Sequence, residues 1–129
     1  MKLTELFADE IVREGAITRR TLERVPEGRD DWKPHDKSMP LGRLAMMIAG
    51  IPAWLSMIVE KDEFDLNPPA GGSSFSQELK TSKELLEALD QGIEGARAAL
   101  STASEERLLE PWRLLMAGTV VIAPPRDAA

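Results

Sequence analysis

The residues of this chain that could do chemistry are few. There is one histidine, His35, and there is no cysteine. The lack of cysteine excludes disulfides, thiolate metal sites and a cysteine nucleophile. A metal site built on His35 would need further ligands close by, which only carboxylates could supply. A single histidine in a loop with scattered serines does not define a Ser/His/Asp arrangement either, so we predict a solvated or backbone-bonded side chain.

Two carboxylates are the other candidates. At 100° per residue, Glu10, Glu14 and Thr21 fall near the middle of the apolar face of a predicted first helix. A carboxylate on a core face must find partners or shift its pKa. One interpretation, which we favour, is that the helix is rotated slightly so that both glutamates reach solvent. The other is that this face lines a polar pocket.

Three further patterns resemble functional motifs but lack their defining residues. The glycine-rich "AGGSS" at 70–74 lacks the G-K-[ST] of a phosphate loop and is predicted to be a linker turn. The acidic "EKDEFD" at 60–65 lacks the spacing and the glycine of a calcium loop, which indicates a solvated surface. The basic residues of the first helix are interleaved with acidic ones, and we interpret them as a solvated face: Arg13, Arg19, Arg20 and Arg24.

Length and charge limit the function classes. A chain of 129 residues is typical of one domain, here residues 1–129. A net charge of -6 and a pI near 4.9 argue against nucleic-acid binding. The amino terminus carries early acidic residues and is not a secretory signal. We expect no apolar segment long enough for a membrane span, so the expected location is cytoplasmic, with no membrane partner.

Apolar periodicity predicts three long helices. The first runs from about Thr4 to Val25 and is stopped by Pro26 and Gly28. The second opens after Ser38 as N-cap, with Pro40 in its first turn and a kink at Pro52. Its predicted buried stripe is Leu41, Leu44, Ile48, Ile51, Leu55 and Ile58.

The third helix opens with a capping box formed by Thr81 and Glu84 and continues to about Ala103. Residues 61–80 before it are expected to be a long connection without periodicity. After it, Ser104 to Leu109 predicts one helical turn, and a hairpin turns about Ala117-Gly118. The strands of that hairpin are 112–116 and 119–122.

Residues 21–55, "TLERVPEGRDDWKPHDKSMPLGRLAMMIAGIPAWL", resemble the first half of the DinB (YfiT-like) superfamily. Its members end a long helix in "L-x-x-V/I-P", follow it with a "W-K/R-P-H-x-K-S-M" loop, and open a second helix with "L-G-x-L-A-x-H-I-A". The matching positions are Leu22, Val25, Pro26, Trp32, Lys33, Pro34, His35, Lys37, Ser38, Met39, Leu41, Gly42, Leu44, Ala45, Ile48 and Ala49. A looser resemblance extends through "EPWRLLMAGTVVIAPPR" and so over nearly the whole chain.

The resemblance implies an all-α fold, an up-down four-helix bundle that is often dimeric. Of this DinB-like helical bundle the chain would hold three of four helices, with a small C-terminal β-hairpin. Members typically bind zinc or nickel through three histidines, one on helix two and an H-x-x-x-H pair on helix four. Residues four apart project from one face of a helix, and a ligand from a facing helix completes an open site.

The chain departs from that pattern twice. Met47, a thioether and a poor zinc ligand, occupies the helix-two histidine position and is expected to pack in the core. The chain also ends at Ala129, near where the fourth helix would begin, so we expect it to be truncated. His35 matches a loop histidine of the family that is not a ligand. We therefore expect no cofactor-binding or metal residues and no bound cofactor, while the sequence leaves any catalytic residue unknown.

The favoured hypothesis is a non-catalytic DinB-like domain with a defective metal site. An apolar groove lined by Leu44/Ile48/Ile51 and Leu89/Ile93/Leu100 would then favour a homo-oligomer. Three alternatives stay open. The chain could be a divergent metal-dependent, thiol-transferase-like enzyme that uses Glu10, Glu14 and His35. It could be an interaction module completed by a partner helix, or an incomplete reading of a longer gene. The sequence does not indicate which small-molecule substrate, if any, the protein binds.

Overall fold

The computed structural model describes residues 2–66 and 81–129. The described chain is mostly helical, with one small three-stranded sheet. Its helices are α1 (Leu3–Leu22), α2 (Leu41–Glu60), α3 (Ser82–Thr102) and the short α4 (Glu105–Leu109). Its strands are β1 (Glu63–Asp65), β2 (Arg113–Met116) and β3 (Thr119–Ile122), and a 3-10 turn follows at Arg126–Ala128. The three predicted long helices and the predicted hairpin are confirmed. The expected up-down order is wrong for α2 and α3, which run parallel: Gly92 faces Ala53 and Gly95 faces Ser56.

Helix α3 is the element on which the other two long helices pack. It packs most extensively against α2 and next against α1, whereas α1 and α2 touch each other much less. One buried cluster joins all three helices: Leu22, Ala45, Ala49, Leu85 and Leu89. A second cluster lies at the other end and adds α4: Val59, Ala99, Leu100 and Leu108. The core therefore runs along the length of α3.

The predicted buried stripe of α2 is confirmed only in part: Ile48 and Leu55 pack against the two core clusters, but no residue of the stripe is fully buried. Its buried residues are mostly small ones, namely Gly42, Ala45, Ala49, Pro52 and Val59. Leu44 and Ile51, expected in the core, are exposed. The cause is the close approach of α3: a Cβ placed on Gly92 would lie 3.0 Å from the backbone nitrogen of Ala53. Only small side chains fit between helices this close, so α2 is turned by roughly 100° from the prediction, one residue's rotation.

The two predicted helix starts have different outcomes. The hydroxyl of Thr81 accepts a hydrogen bond from the backbone N–H of Glu84 at 3.1 Å and donates to its carboxylate, which confirms the N-cap of α3. The expected cap at Ser38 is wrong, because α2 begins at Leu41 and Pro40 occupies the N-cap position. Pro52 lies inside α2 without ending it.

The sheet contains one strand that was not predicted. β1 pairs in parallel with β2, and β2 pairs antiparallel with β3, in the order β1-β2-β3. The hairpin turn has positive φ at both Ala117 (52°) and Gly118 (84°), as a type I′ turn requires. β1 replaces the first part of the expected connection 61–80. The rest of that connection, with "AGGSS" at 70–74, lies outside the described residues.

Helix α2 also bears on the membrane prediction. It is the one helix in the described ranges that is long and apolar enough to cross a membrane, judged by length and composition alone. The expectation that no segment reaches that length is therefore wrong. Core helices of soluble proteins meet the same criterion, so this property alone is weak support for a membrane span.

Candidate functional site

Glu10 and Glu14 both reach solvent from α1. The carboxylate of Glu10 forms an ion pair with Arg13 at 2.6 Å, and Glu14 is exposed. Thr21 is exposed as well, and its hydroxyl donates to the carbonyl of Ile17 at 3.2 Å. Of the two interpretations of this face, the rotated helix is therefore confirmed, and the polar pocket is wrong.

His35 lies exposed in the loop before α2. Its Nδ1 accepts a hydrogen bond from the backbone N–H of Lys37 at 3.1 Å, so the ring is backbone-bonded as predicted. Within residues 2–66 and 81–129, no three His, Asp or Glu side chains come together as a metal site would require. The structure thus does not gather Glu10, Glu14 and His35 around one point.

Met47 lies on the outward side of α2. Its exposed fraction is 36%, so the expectation that it packs in the core is wrong. Leu44 and Ile51 lie on the same side of the helix, and Ile51 is 54% exposed. The same rotation of α2 that buries Ala45 and Ala49 brings these three larger side chains to the surface.

The predicted groove is also changed. Leu89 and Leu100 are buried in the two core clusters, and Ile93 packs against the first of them. The α3 stripe is therefore covered by α1 and α2 and does not line a groove. Of the residues predicted to line the groove, only Leu44 and Ile51 on α2 are exposed.

The exposed side of α2 continues onto the sheet. The rings of Trp54 and Phe64 pack with centroids 5.8 Å apart. Phe64 pairs with Leu114, and Leu114 pairs with Ile122, so these three side chains form one row across the sheet. We call the resulting surface the apolar face. It consists of Leu44, Met47, Ile51, Trp54, Phe64, Leu114 and Ile122.

The apolar face carries no charge of its own. There is no charged residue from position 44 to 59 in α2, nor from 114 to 125 around the hairpin. The chain as a whole holds 22 acidic and 16 basic residues. The face is thus an uncharged region on a strongly charged surface.

A pair of arginines closes the C-terminal end of α2. Arg126 donates to the carbonyl oxygens of Ile58 (2.9 Å) and Lys61 (3.0 Å). Arg107 donates to those of Val59 (3.2 Å) and Glu60 (3.1 Å). These four carbonyls are the ones that a helix end leaves without helical partners. The Arg126 side chain is only 1% exposed, which makes it an internal support and not a ligand-binding group.

Asp62 joins the two arginines. Its Oδ1 lies 3.0 Å from Arg107 and 2.7 Å from Arg126. These hydrogen bonds, that from Arg107 first, lower the pKa of the Asp62 carboxyl. The bond from Arg107 to Glu110 is the largest of the influences that raise the pKa of Arg107. The prediction that 60–65 is merely a solvated surface is incomplete, because Asp62 is paired although its side chain is 74% exposed.

Asp65 supports the hairpin turn from the neighbouring strand. Its carboxylate accepts hydrogen bonds from the backbone N–H groups of Ala117 (3.0 Å) and Gly118 (2.8 Å). The acidic segment thus has two structural uses, one at each end of β1. No local signal in the sequence indicates either, since the partners lie more than 40 residues away.

A cleft of about 850 Å³ opens between the start of α1, the second half of α3 and α4. The charged side chains that line it are Lys2, Glu5, Glu94, Arg97, Glu105 and Glu106. Glu105 is committed to the fold: it accepts hydrogen bonds from the N–H groups of Leu3 (3.0 Å) and Thr4 (3.1 Å) at the start of α1. The Thr4 N–H is the main cause of a lowered pKa at Glu105. The cleft is lined by four carboxylates and two cations, and these charges do not converge on one point that would define a ligand site.

Comparison with protein-family models, with curated proteins and with solved structures finds no match to this chain. The resemblance to the DinB superfamily therefore stays a prediction that rests on residues 21–55.

Proposed function

We propose that this chain is a non-catalytic, DinB-like helical domain that works by self-association through its apolar face. The DinB part rests on the motif at residues 32–49. The self-association part rests on one observation, the exposure of Leu44, Met47 and Ile51 on an uncharged side of α2. Catalysis through a metal is disfavoured by Met47 at the position of the family's helix-two ligand.

Covering the apolar face with a partner would favour association. Covering a Leu, Met or Ile side chain completely is worth about 1.5–3 kcal/mol, so covering the exposed part of each is worth roughly 1 kcal/mol. Contiguous apolar patches of this sort are typical of interaction sites. Because the face extends from α2 to Ile122, several such contributions act together.

The partner that fits this face is a second copy of the chain. A net charge of -6 makes two copies repel each other in general, but repulsion is weakest where neither copy carries charge. A two-fold interface brings the same patch of both subunits together, and an uncharged apolar patch is compatible with its own copy.

The test is the oligomeric state of the protein and of two matched variants. Light scattering coupled to size exclusion should show a dimer or larger species for the wild type. Ile51→Lys should shift that species towards the monomer, because it places a charge in the middle of the apolar face. Val12→Lys, an equally apolar and exposed position on α1, should leave it unchanged. A wild-type monomer at all concentrations would overturn the proposal, as would an equal effect of both substitutions.

A further inference from the structure

The strand β3 offers a second kind of surface, its hydrogen-bonding edge. β3 ends the order β1-β2-β3, so within the described part of the chain its outer side is an edge. All four of its residues, Thr119 to Ile122, are exposed. The backbone N–H and C=O groups of such an edge can pair with another strand.

The two edges of the sheet differ in protection. At the β1 edge, Glu63 and Asp65 lie in the strand and Asp62 directly precedes it. Charges of this kind discourage pairing with another chain. β3 carries no charge. In the described residues its pairing is limited by the irregular register at Val121 and by Pro124 and Pro125 beyond its end, which lack an N–H.

The side chains of β3 suit a strand inside a larger sheet. Val120 pairs with Leu115 while Ile122 pairs with Leu114, and Val121 is passed over in this register. Since Leu114 and Leu115 point to opposite faces, Val120 and Ile122 do so as well. The strand is therefore β-branched and apolar on both faces, a composition enriched in strands that have neighbours on each side.

We propose that β3 pairs antiparallel with β3 of a second copy, which joins two sheets into one of six strands. A two-fold axis perpendicular to the sheet produces this antiparallel arrangement from identical strands. Neither strand brings a charge to the junction. The row Phe64, Leu114 and Ile122 would then continue into its own copy across the axis. This inference deepens the proposed self-association, and it names an element distinct from the α2 part of the apolar face.

The absence of cysteine makes the pairing directly testable. A single cysteine is placed in turn at Thr119, Val120, Val121 and Ile122, for example as Val121→Cys, and each variant is oxidised under mild conditions. Paired antiparallel strands bring opposite Cα atoms to 4.5–5.5 Å, within the range of a disulfide. We expect at least one position to form disulfide dimers about tenfold faster than Leu109→Cys, because pairing raises the local thiol concentration. Leu109 is an exposed apolar control outside the sheet.

Ile51→Cys separates the two proposals. If Ile51→Cys crosslinks and no β3 position exceeds the Leu109→Cys control, the strand pairing is wrong while the proposed self-association stands. If a β3 position crosslinks in a register that fits an antiparallel ladder, the inference is supported. If no variant exceeds the control, the strand pairing is wrong, and a wild-type monomer in light scattering would then overturn the proposed self-association as well. Circular dichroism of each variant before oxidation verifies that it is folded.

Discussion

Arg107 and Arg126 divide four successive carbonyl oxygens between them, the last three of α2 and that of its C-cap residue Lys61. Arg126 donates to the outer two and Arg107 to the inner two. Positive charge at the C-terminal end of a helix is favourable, because that end carries a partial negative charge. Asp62 lies between the two guanidinium groups and offsets part of their charge. Two side chains from distant parts of the chain thus finish a helix that ends at Glu60.

Arg126→Ala should lower the free energy of unfolding by about 3 kcal/mol, since it leaves buried carbonyls without donors. Arg126→Lys keeps the positive charge but loses the several N–H donors of the guanidinium group. Its loss of unfolding free energy should therefore lie between those of the wild type and Arg126→Ala. Arg113→Ala is the matched control, because Arg113 forms an exposed ion pair with Glu63 and should cost less than about 1 kcal/mol. Urea denaturation measures all three. Equal losses for Arg126→Ala and Arg113→Ala would contradict the capping role.

Two glycines on facing helices should respond oppositely to alanine. In Gly92→Ala, the new methyl group would meet the backbone of α2 at 3.0 Å, so the helices must separate at a cost of about 1–3 kcal/mol. In Gly50→Ala, the methyl group meets nothing within 4 Å, and α2 should gain about 0.5–1 kcal/mol. Thermal and chemical denaturation check the signs. A stabilising Gly92→Ala would show that α2 and α3 do not pack this closely.

Acid should detach the start of α1 from α4 through Glu105. Its pKa is lowered in the folded chain, chiefly by the Thr4 N–H. Its contribution to stability is therefore complete above the ordinary glutamate pKa and is lost as the pH falls through the lowered value. As the pH falls below about 5, into the range where glutamates titrate, the wild type should lose stability. Glu105→Gln should lose less over the same range, because it has no carboxylate at this position to protonate.

Glu87→Gln, at an exposed position on α3, is the control for this pH dependence and should follow the wild-type curve. The measurement is the urea midpoint at a series of pH values. Identical pH profiles for Glu105→Gln and Glu87→Gln would show that the Glu105 cap does not contribute.

Zinc titration by calorimetry separates the enzyme alternative from the proposed function. We expect no stoichiometric uptake at micromolar metal, because Glu10 and Glu14 point into solvent and His35 is held by Lys37. Tight uptake that is lost in Glu14→Gln would reverse this and support a metal-dependent enzyme. Arg13→Gln, which releases Glu10 from its ion pair, is a useful comparison.

Much of the local structure could be predicted from the sequence. The Thr81 cap, the period of α3 and the Ala117-Gly118 turn are local signals, and each has its predicted place. The buried side of α2 could not be predicted by periodicity, since this helix is apolar on nearly every side. Its orientation is decided by how closely α3 approaches at Gly92.

Strand β1 and the cap of α1 could not be predicted from the sequence for another reason. β1 is three residues long and exists through its pairing with Arg113–Leu115, far along the chain. The cap of α1 comes from Glu105, about 100 residues from the helix that it caps. Such contacts leave no spacing pattern in the sequence, because the partners meet only in the folded chain.

The arginine pair also has a consequence for the order of events during synthesis. Ile58 leaves the ribosome 68 residues before Arg126. The carbonyl oxygen of Ile58 accepts its hydrogen bond from the guanidinium group of Arg126. The three long helices are thus translated while the last turn of α2 is still unfinished. Chains generally fold in units as they emerge, but here the bundle and the hairpin must complete one another. The carbonyl oxygens of Ile58 and Lys61 therefore stay without their arginine donor until Arg126 has emerged from the ribosome.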